Sequence, residues 1–187
     1  MKIIISGAYT IGSYLARLLS RNKQDIVLMD ECSENLEKIS NEADLLTMEG
    51  STTSIKNLKE AGAEDADLFI AVTPDESKNI AACVLAHQLG AKKTVARVDN
   101  PEYVEPSNQE LFHQMGVSSI IYPELLAAKD IINGLKMSWV RQRWDVHDGA
   151  LVMLGIKLRE SCEILDRPLK EISGPNDPYH VVAIKHN

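Results

Sequence analysis

The chain has no apolar run near the roughly 20 residues that a membrane-crossing helix requires. Its N-terminal run, Ile3-Ile4-Ile5, is too short to span and has no cleavage region of a secretion signal behind it. Cysteine is scarce: Cys32, Cys83 and Cys162 are odd in number and widely scattered. That pattern makes no disulfide framework and no metal-ligand spacing, and it suits a reducing cytoplasm. His87, His113, His147, His180 and His186 do not cluster either, so no metal site is expected. Positive charge is also short. Twenty Lys and Arg face 27 Asp and Glu, for a net charge of −7, which argues against a nucleic-acid partner. What remains is ordinary for a folded protein: 44% hydrophobic and 25% charged over 187 residues excludes a disordered chain and leaves room for a core.

Short apolar runs alternate with helical patterns as far as Pro123. Lys2–Ile5 reads as a first strand, and Ile11, Leu15, Leu18 and Leu19 share one face of the helix after it. Asp25–Asp30 encloses Ile26-Val27-Leu28-Met29, a run that suits burial on both sides. Leu36 and Ile39 mark a second helix, and Leu45–Met48 a third strand. Ile55, Leu58 and Ala61 line another helix, which Gly62 can close in a left-handed conformation. Leu68–Val72 is the fourth strand. Thr73-Pro74-Asp75-Glu76 has the form of a capping box with proline at the first helical position. The helix that follows turns Ile80, Cys83 and Val84 inward and stops near Gly90. Thr94–Val98 is a fifth strand, Ser107-Asn108-Gln109-Glu110 a second capping box, Gly116 a helix stop, and Ser119–Tyr122 a sixth strand. Six strands separated by helices define an α/β fold with a doubly wound parallel sheet, because right-handed crossovers place helices on both faces.

The pattern changes after Pro123. Leu125, Ala128, Ile132, Leu135 and Trp139 recur at spacings of three and four, the period of a helix–helix seam. This is either a further helix packed on its own sheet or one that crosses to a second subunit. Asp148-Gly149 marks a break, and Ala150–Leu158 and Val181–Ile184 read as strands of a second unit. The expected organisation is a doubly wound α/β domain over 1–122, a crossover helix and linker over 123–147, and a partial α+β domain over 148–187. Truncation of that last domain is preferred over its packing on the first domain or on a partner.

Chemistry concentrates behind the first strand, at Gly7-Ala8-Tyr9-Thr10-Ile11-Gly12. A dinucleotide-binding (Rossmann) turn needs its first glycine for the tight turn and its last for close helix–strand packing. The helix start beyond then offers backbone N–H groups and a positive dipole end to a pyrophosphate. Tyr9 replaces the middle glycine, where the backbone comes nearest the phosphates. The ring must turn outward, or binding is weakened or lost. Asp30 stands 18 positions after Gly12, close to where an acidic residue accepts hydrogen bonds from a ribose. A carboxylate there disfavours a 2′-phosphate, so NAD(H) is expected over its phosphorylated relative.

Several segments together resemble the regulatory subunits of Trk potassium-uptake systems and the wider potassium-conductance regulator domains. They are Met1–Ile5 with its glycine loop, Leu58-Lys59-Glu60-Ala61-Gly62 running on through Asp65-Ala66-Asp67 to Ala71-Val72-Thr73, and Asp75-Glu76-Ser77-Lys78-Asn79. Ala96-Arg97-Val98, Pro101-Glu102-Tyr103 and Tyr122-Pro123-Glu124 complete the set. The resemblance implies that Gly7, Tyr9 through its backbone, Ile11 and Gly12 face a pyrophosphate, with Thr10 beside them. It implies that Asp30 holds the adenosine ribose, next to Glu31. Gly50-Ser51 and Thr73-Pro74-Asp75 would line the cleft, and Asn79 and Arg97 would reach the distal half of the ligand. NAD(H) is the expected ligand, with ATP or ADP as the alternative. The same resemblance implies a cytoplasmic homo-oligomer, a dimer or a tetramer, held at the inner membrane by an integral potassium transporter. Longer relatives with a fuller second domain, often duplicated, fit a chain that is an N-terminal fragment.

An NAD-dependent oxidoreductase is the competing reading. It needs a substrate domain with a proton donor or acceptor beside the nicotinamide. No such cluster stands out after Pro123, and Tyr14 and Lys59 read as helix-surface residues. A non-enzymatic sensor is therefore expected, with a scaffold that has lost its ligand as a third reading.

Overall fold

The computed structural model describes residues 1–22, 24–41, 43–136, 140–147, 149–159, 162–174 and 177–184. Trp139, Asp148 and His186, each part of an expectation above, lie outside them. The chain divides into two compact units, Met1–Lys129 and Asp130–Asn187.

The first unit is built on six parallel strands: β1 (Lys2–Ser6), β2 (Asp25–Asp30), β3 (Leu46–Glu49), β4 (Leu68–Ala71), β5 (Thr94–Arg97) and β6 (Ser119–Ile121). Their order across the sheet is β3-β2-β1-β4-β5-β6, the doubly wound order expected of a Rossmann fold. Between them run α1 (Thr10–Ser20), α2 (Ser33–Ser40), α3 (Ile55–Glu60), α4 (Glu76–Leu89) and α5 (Pro106–Gln114). Short 3-10 turns occupy Ala63–Asp65 and Pro101–Val104.

The alternation of side chains along a strand separates two cores. Ile4, Val27, Met29, Phe69 and Ala71 face one side, against Leu58 of α3, Ala82, Cys83 and Ala86 of α4, and Phe112 of α5. Ile3, Ile5, Ile26, Leu28, Ile70 and Val72 face the other, against Ala16 of α1 and Leu36 and Ile39 of α2. β1 pairs with β2 on one side and β4 on the other, with Ile4 opposite Val27 and Phe69. Each fully buried Ile or Phe contributes about 1.5–3 kcal/mol relative to exposure, so the central strands anchor the unit.

The helices depart from the sequence expectations where small residues make the contact. In α1 the buried residues are Gly12, Ser13 and Ala16, with Leu15 and Leu19 packed at the edge. Ile11 and Leu18 are exposed, so the expected apolar face is rotated. Ile55 is likewise exposed, while Leu58 and Ala61 are buried. Gly62 does take the left-handed conformation, at φ 78°. Neither expected capping box forms. α4 is capped by Asp75, whose carboxylate accepts the Ser77 and Lys78 N–H groups, leaving Pro74 before the cap. α5 starts two residues earlier than expected, with Glu105 at its N-cap and Pro106 as its first residue. Proline already holds the φ of a first helical position and has no N–H to satisfy there.

α6 (Pro123–Lys136) carries the residue at which the two units divide. Its apolar residues Leu125, Leu126, Ile131, Ile132 and Leu135 are all exposed. In the second unit, β7 (Val140–Val146) and β8 (Leu151–Ile156) form an antiparallel hairpin, and α7 (Leu169–Ile172) is a single turn. β7 lies within the stretch expected to be linker, and Val181–Ile184 has no strand pairing. No helix of the described residues is long and apolar enough to cross a membrane.

Candidate functional site

In a doubly wound sheet the crevice opens where strand order reverses, beyond the carboxyl ends of the strands. Here that point lies between β1 and β4. Gly7 follows β1 at φ +105° and donates its N–H to the Met29 carbonyl at 2.8 Å. A Cβ on Gly7 would stand 2.9 Å from the Thr73 nitrogen across the crevice. A Cβ on Gly12 would overlap the Gly7 carbonyl oxygen. Both positions therefore require glycine, one for conformation and approach, the other for approach alone.

Tyr9 is the N-cap of α1, extended at φ −77° and ψ −171°, with no side-chain cap, and the first turn holds no acidic residue. The first intrahelical bond runs from the Ser13 N–H to the Tyr9 carbonyl at 2.9 Å. The N–H groups of Thr10, Ile11 and Gly12 precede it, so the helix end presents donors and a positive dipole to the crevice. Tyr9 is 48% exposed and Ile11 38% exposed, so the ring is not buried in the turn. Ser13 Oγ donates to the Ala8 carbonyl at 2.8 Å and holds the loop against the helix.

Asp30 is 5% exposed, not the solvated carboxylate that a strand end suggests. Its Oδ2 accepts the Ala8 N–H at 2.6 Å and its Oδ1 the Cys32 N–H at 2.8 Å. The residue thus staples the glycine loop to the end of β2. Two of its four lone-pair positions are used, which leaves acceptor capacity for a hydroxyl.

The opposite wall is organised by Asn79, which is 1% exposed. Its Oδ1 accepts the Thr73 N–H at 2.9 Å and the Thr73 hydroxyl at 2.7 Å. Its amide donates to the Thr73 and Arg97 carbonyls, each at 2.9 Å. The side chain expected to reach a ligand is engaged with Thr73 and the Arg97 carbonyl, and so it positions the Thr73 loop. Arg97 also serves that loop, donating Nη1 to the Thr73 carbonyl at 3.3 Å and Nη2 to Asp99 at 2.7 Å. Pro74 and Asp75 are exposed at the crevice edge.

A contact that the sequence did not suggest crosses the rim. Lys78, in the first turn of α4, donates to Glu31 Oε2 at 3.0 Å. A hydrogen bond from the Ser51 hydroxyl, then Lys78, holds the Glu31 carboxyl below its ordinary range. Glu31 in turn raises the Lys78 ammonium, with smaller help from Asp75 and Tyr9. Forty-seven positions separate the pair. They meet because β2 and β4 flank β1, which no local pattern reveals. Gly7, Tyr9, Thr10, Ile11, Gly12, Asp30, Glu31, Ser51, Thr73, Pro74, Asp75, Asn79 and Arg97 all follow or close the carboxyl ends of β1 to β5.

A glycine turn, an uncapped helix start and a strand-end carboxylate at the reversal point define a nucleotide-binding Rossmann cleft by class. Residues 3–123 match the model of the TrkA-N domain, and the chain belongs to that family. A Trk system potassium uptake protein TrkA homolog from Methanothermobacter thermautotrophicus is 29% identical over all of this chain and 83% of that protein. A protein of the same name from Archaeoglobus fulgidus is 36% identical over 95% of this chain, which spans only 40% of it. Among solved structures, the TrkA-N domain of inner membrane protein ybaL from Escherichia coli superposes with a TM-score of 0.63 at 15% identity, covering 72% of this chain and 96% of that one. The GsuK channel bound to NAD superposes with a TM-score of 0.55 at 19% identity, over 64% of this chain and 21% of that one. At these identities the structural matches speak for the fold.

Proposed function

We propose that this chain is the nucleotide-sensing part of a regulatory subunit of a potassium-uptake system, with NAD(H) as its ligand and ATP or ADP as the alternative. The observation that carries the reading is the start of α1, where the N–H groups of Thr10, Ile11 and Gly12 open onto the reversal point without a side-chain cap. Gly7 and Gly12 keep that approach clear of Cβ atoms. The residues present fit a dinucleotide: the helix start would hold the pyrophosphate and Asp30 a ribose hydroxyl, while Ser51 and Thr73 would border the cleft. NAD bound to a channel of which one part shares this fold supports the choice of ligand. The names of the relatives support potassium uptake as the process and favour sensing over hydride transfer.

The mechanism is a shift between conformations, which a ligand drives only through different affinities for the two. The exposed Leu125, Ile132 and Leu135 of α6 suit a seam with a second copy, so the unit would act as a homodimer or a dimer of dimers. Nucleotide binding would reorient paired domains and pass that change to an integral-membrane potassium transporter, with the chain cytoplasmic and peripheral to the inner membrane. Calorimetric titration with NADH, ADP and ATP tests the ligand, and potassium uptake with Asp30→Ala tests its consequence. Heat of binding in the micromolar range and altered uptake are expected. No binding at millimolar nucleotide overturns the reading.

A further inference from the structure

The glycine loop contains no basic residue, yet the fold delivers one to its rim. Lys78 stands on the β4 side and Glu31 on the β2 side, so their 3.0 Å ion pair bridges the walls above the turn that follows β1. Tyr9 of that turn is among the groups that raise the Lys78 ammonium, with Glu31 the largest. Both side chains keep water contact, at 44% and 50% exposure. Such a pair is held weakly, because solvent screens it and ordering two long side chains costs entropy. A diphosphate at the α1 N-terminus would bring at least one full negative charge to the same rim, with several oxygens that can accept from an ammonium.

We propose that Lys78 is the phosphate-reading cation of this cleft, held across the rim by Glu31 and exchanged onto the diphosphate when a nucleotide enters. The proposal rests on the nucleotide-sensing reading and adds its charge specificity and a latch. Glu31 competes with the ligand for one ammonium, so the two members of the pair act in opposite directions. A merely structural bridge would make both substitutions harmful or both neutral.

The test is titration of the full chain with ADP and with NADH at two salt concentrations, using wild type, Lys78→Gln, Glu31→Gln and the double variant. Lys78→Gln should raise Kd about tenfold, the weight of a hydrogen bond to a charged group, and flatten the salt dependence. Glu31→Gln should lower Kd about threefold, and should do nothing once Lys78 is gone. Any other sign pattern in a wild type that binds overturns the latch and leaves the sensing reading standing. Absence of binding by both wild type and Glu31→Gln overturns the two together.

Discussion

Asn79 closes a two-way clamp on Thr73: its Oδ1 accepts the Thr73 N–H and hydroxyl, and its amide donates to the Thr73 carbonyl. The same amide reaches the Arg97 carbonyl, so one buried side chain ties the loop after β4 to the end of β5. Asn79→Ala would leave several part-buried groups without partners at once. We predict a loss of about 2–4 kcal/mol in urea unfolding, along with weaker nucleotide binding, because Thr73 faces Gly7 at the crevice. A variant with wild-type stability would show that the clamp is not needed to hold the loop.

Two glycines should respond to alanine with opposite signs. At Gly12 the added methyl would overlap the Gly7 carbonyl oxygen, and backbone cannot yield cheaply. Overpacking of this kind costs about 3 kcal/mol, and the glycine turn should lose its ligand. At Gly134, in α6, an added Cβ meets nothing within 4 Å. There alanine should stabilise by about 0.5–1 kcal/mol through helix propensity. Denaturant midpoints of the two variants, measured side by side, decide both.

The sheet was readable in the sequence because its inner strands are buried on both faces. Ile3-Ile4-Ile5 and Ile26-Val27-Leu28-Met29 are continuous apolar runs for that reason. Gly7 and Gly12 were readable because sterics leave no other residue there. The wrong face of α1 has an equally physical cause: its contact with the sheet runs through Gly12 and Ala16, which carry little hydropathy, while Ile11 and Leu18 face solvent. β7 was missed because Val140–Val146 reads VRQRWDV, a mostly polar strand following a helical seam. The duties of Asn79 and Lys78 depend on strand order, and a linear pattern holds no record of which loops become neighbours.

Acid should weaken the fold through specific carboxylates. Asp67 accepts hydrogen bonds from the Lys92 ammonium and the Lys2 N–H at the start of β1, and these hold its carboxyl below the ordinary range. A depressed folded-state value means that the unfolded chain takes up the proton first. The contribution is therefore complete above the ordinary carboxylate range and disappears as pH falls through the lower folded value. We predict that Asp67→Asn lowers the neutral plateau of stability and flattens its acid limb. Parallel acid limbs for variant and wild type, in urea midpoints followed against pH, would count against this assignment.

Thiol chemistry offers a last check, on burial and on the cleft together. Cys83 packs beneath β4 and β5, and burial pushes its thiol up to about 12. At pH 8 roughly one molecule in ten thousand would hold it as thiolate, the form that reacts. Cys32 and Cys162 are only partly buried. A disulfide reagent should therefore label two thiols in the native chain and the third only after unfolding. Cys32 also donates its N–H to Asp30 at 2.8 Å, at the place where the ribose is proposed to sit. NADH should then slow labelling of Cys32 and leave Cys162 unchanged. Equal rates at Cys32 with and without saturating NADH would separate the ligand from this end of the crevice, because a ribose held by Asp30 must restrict access to the residue two positions on.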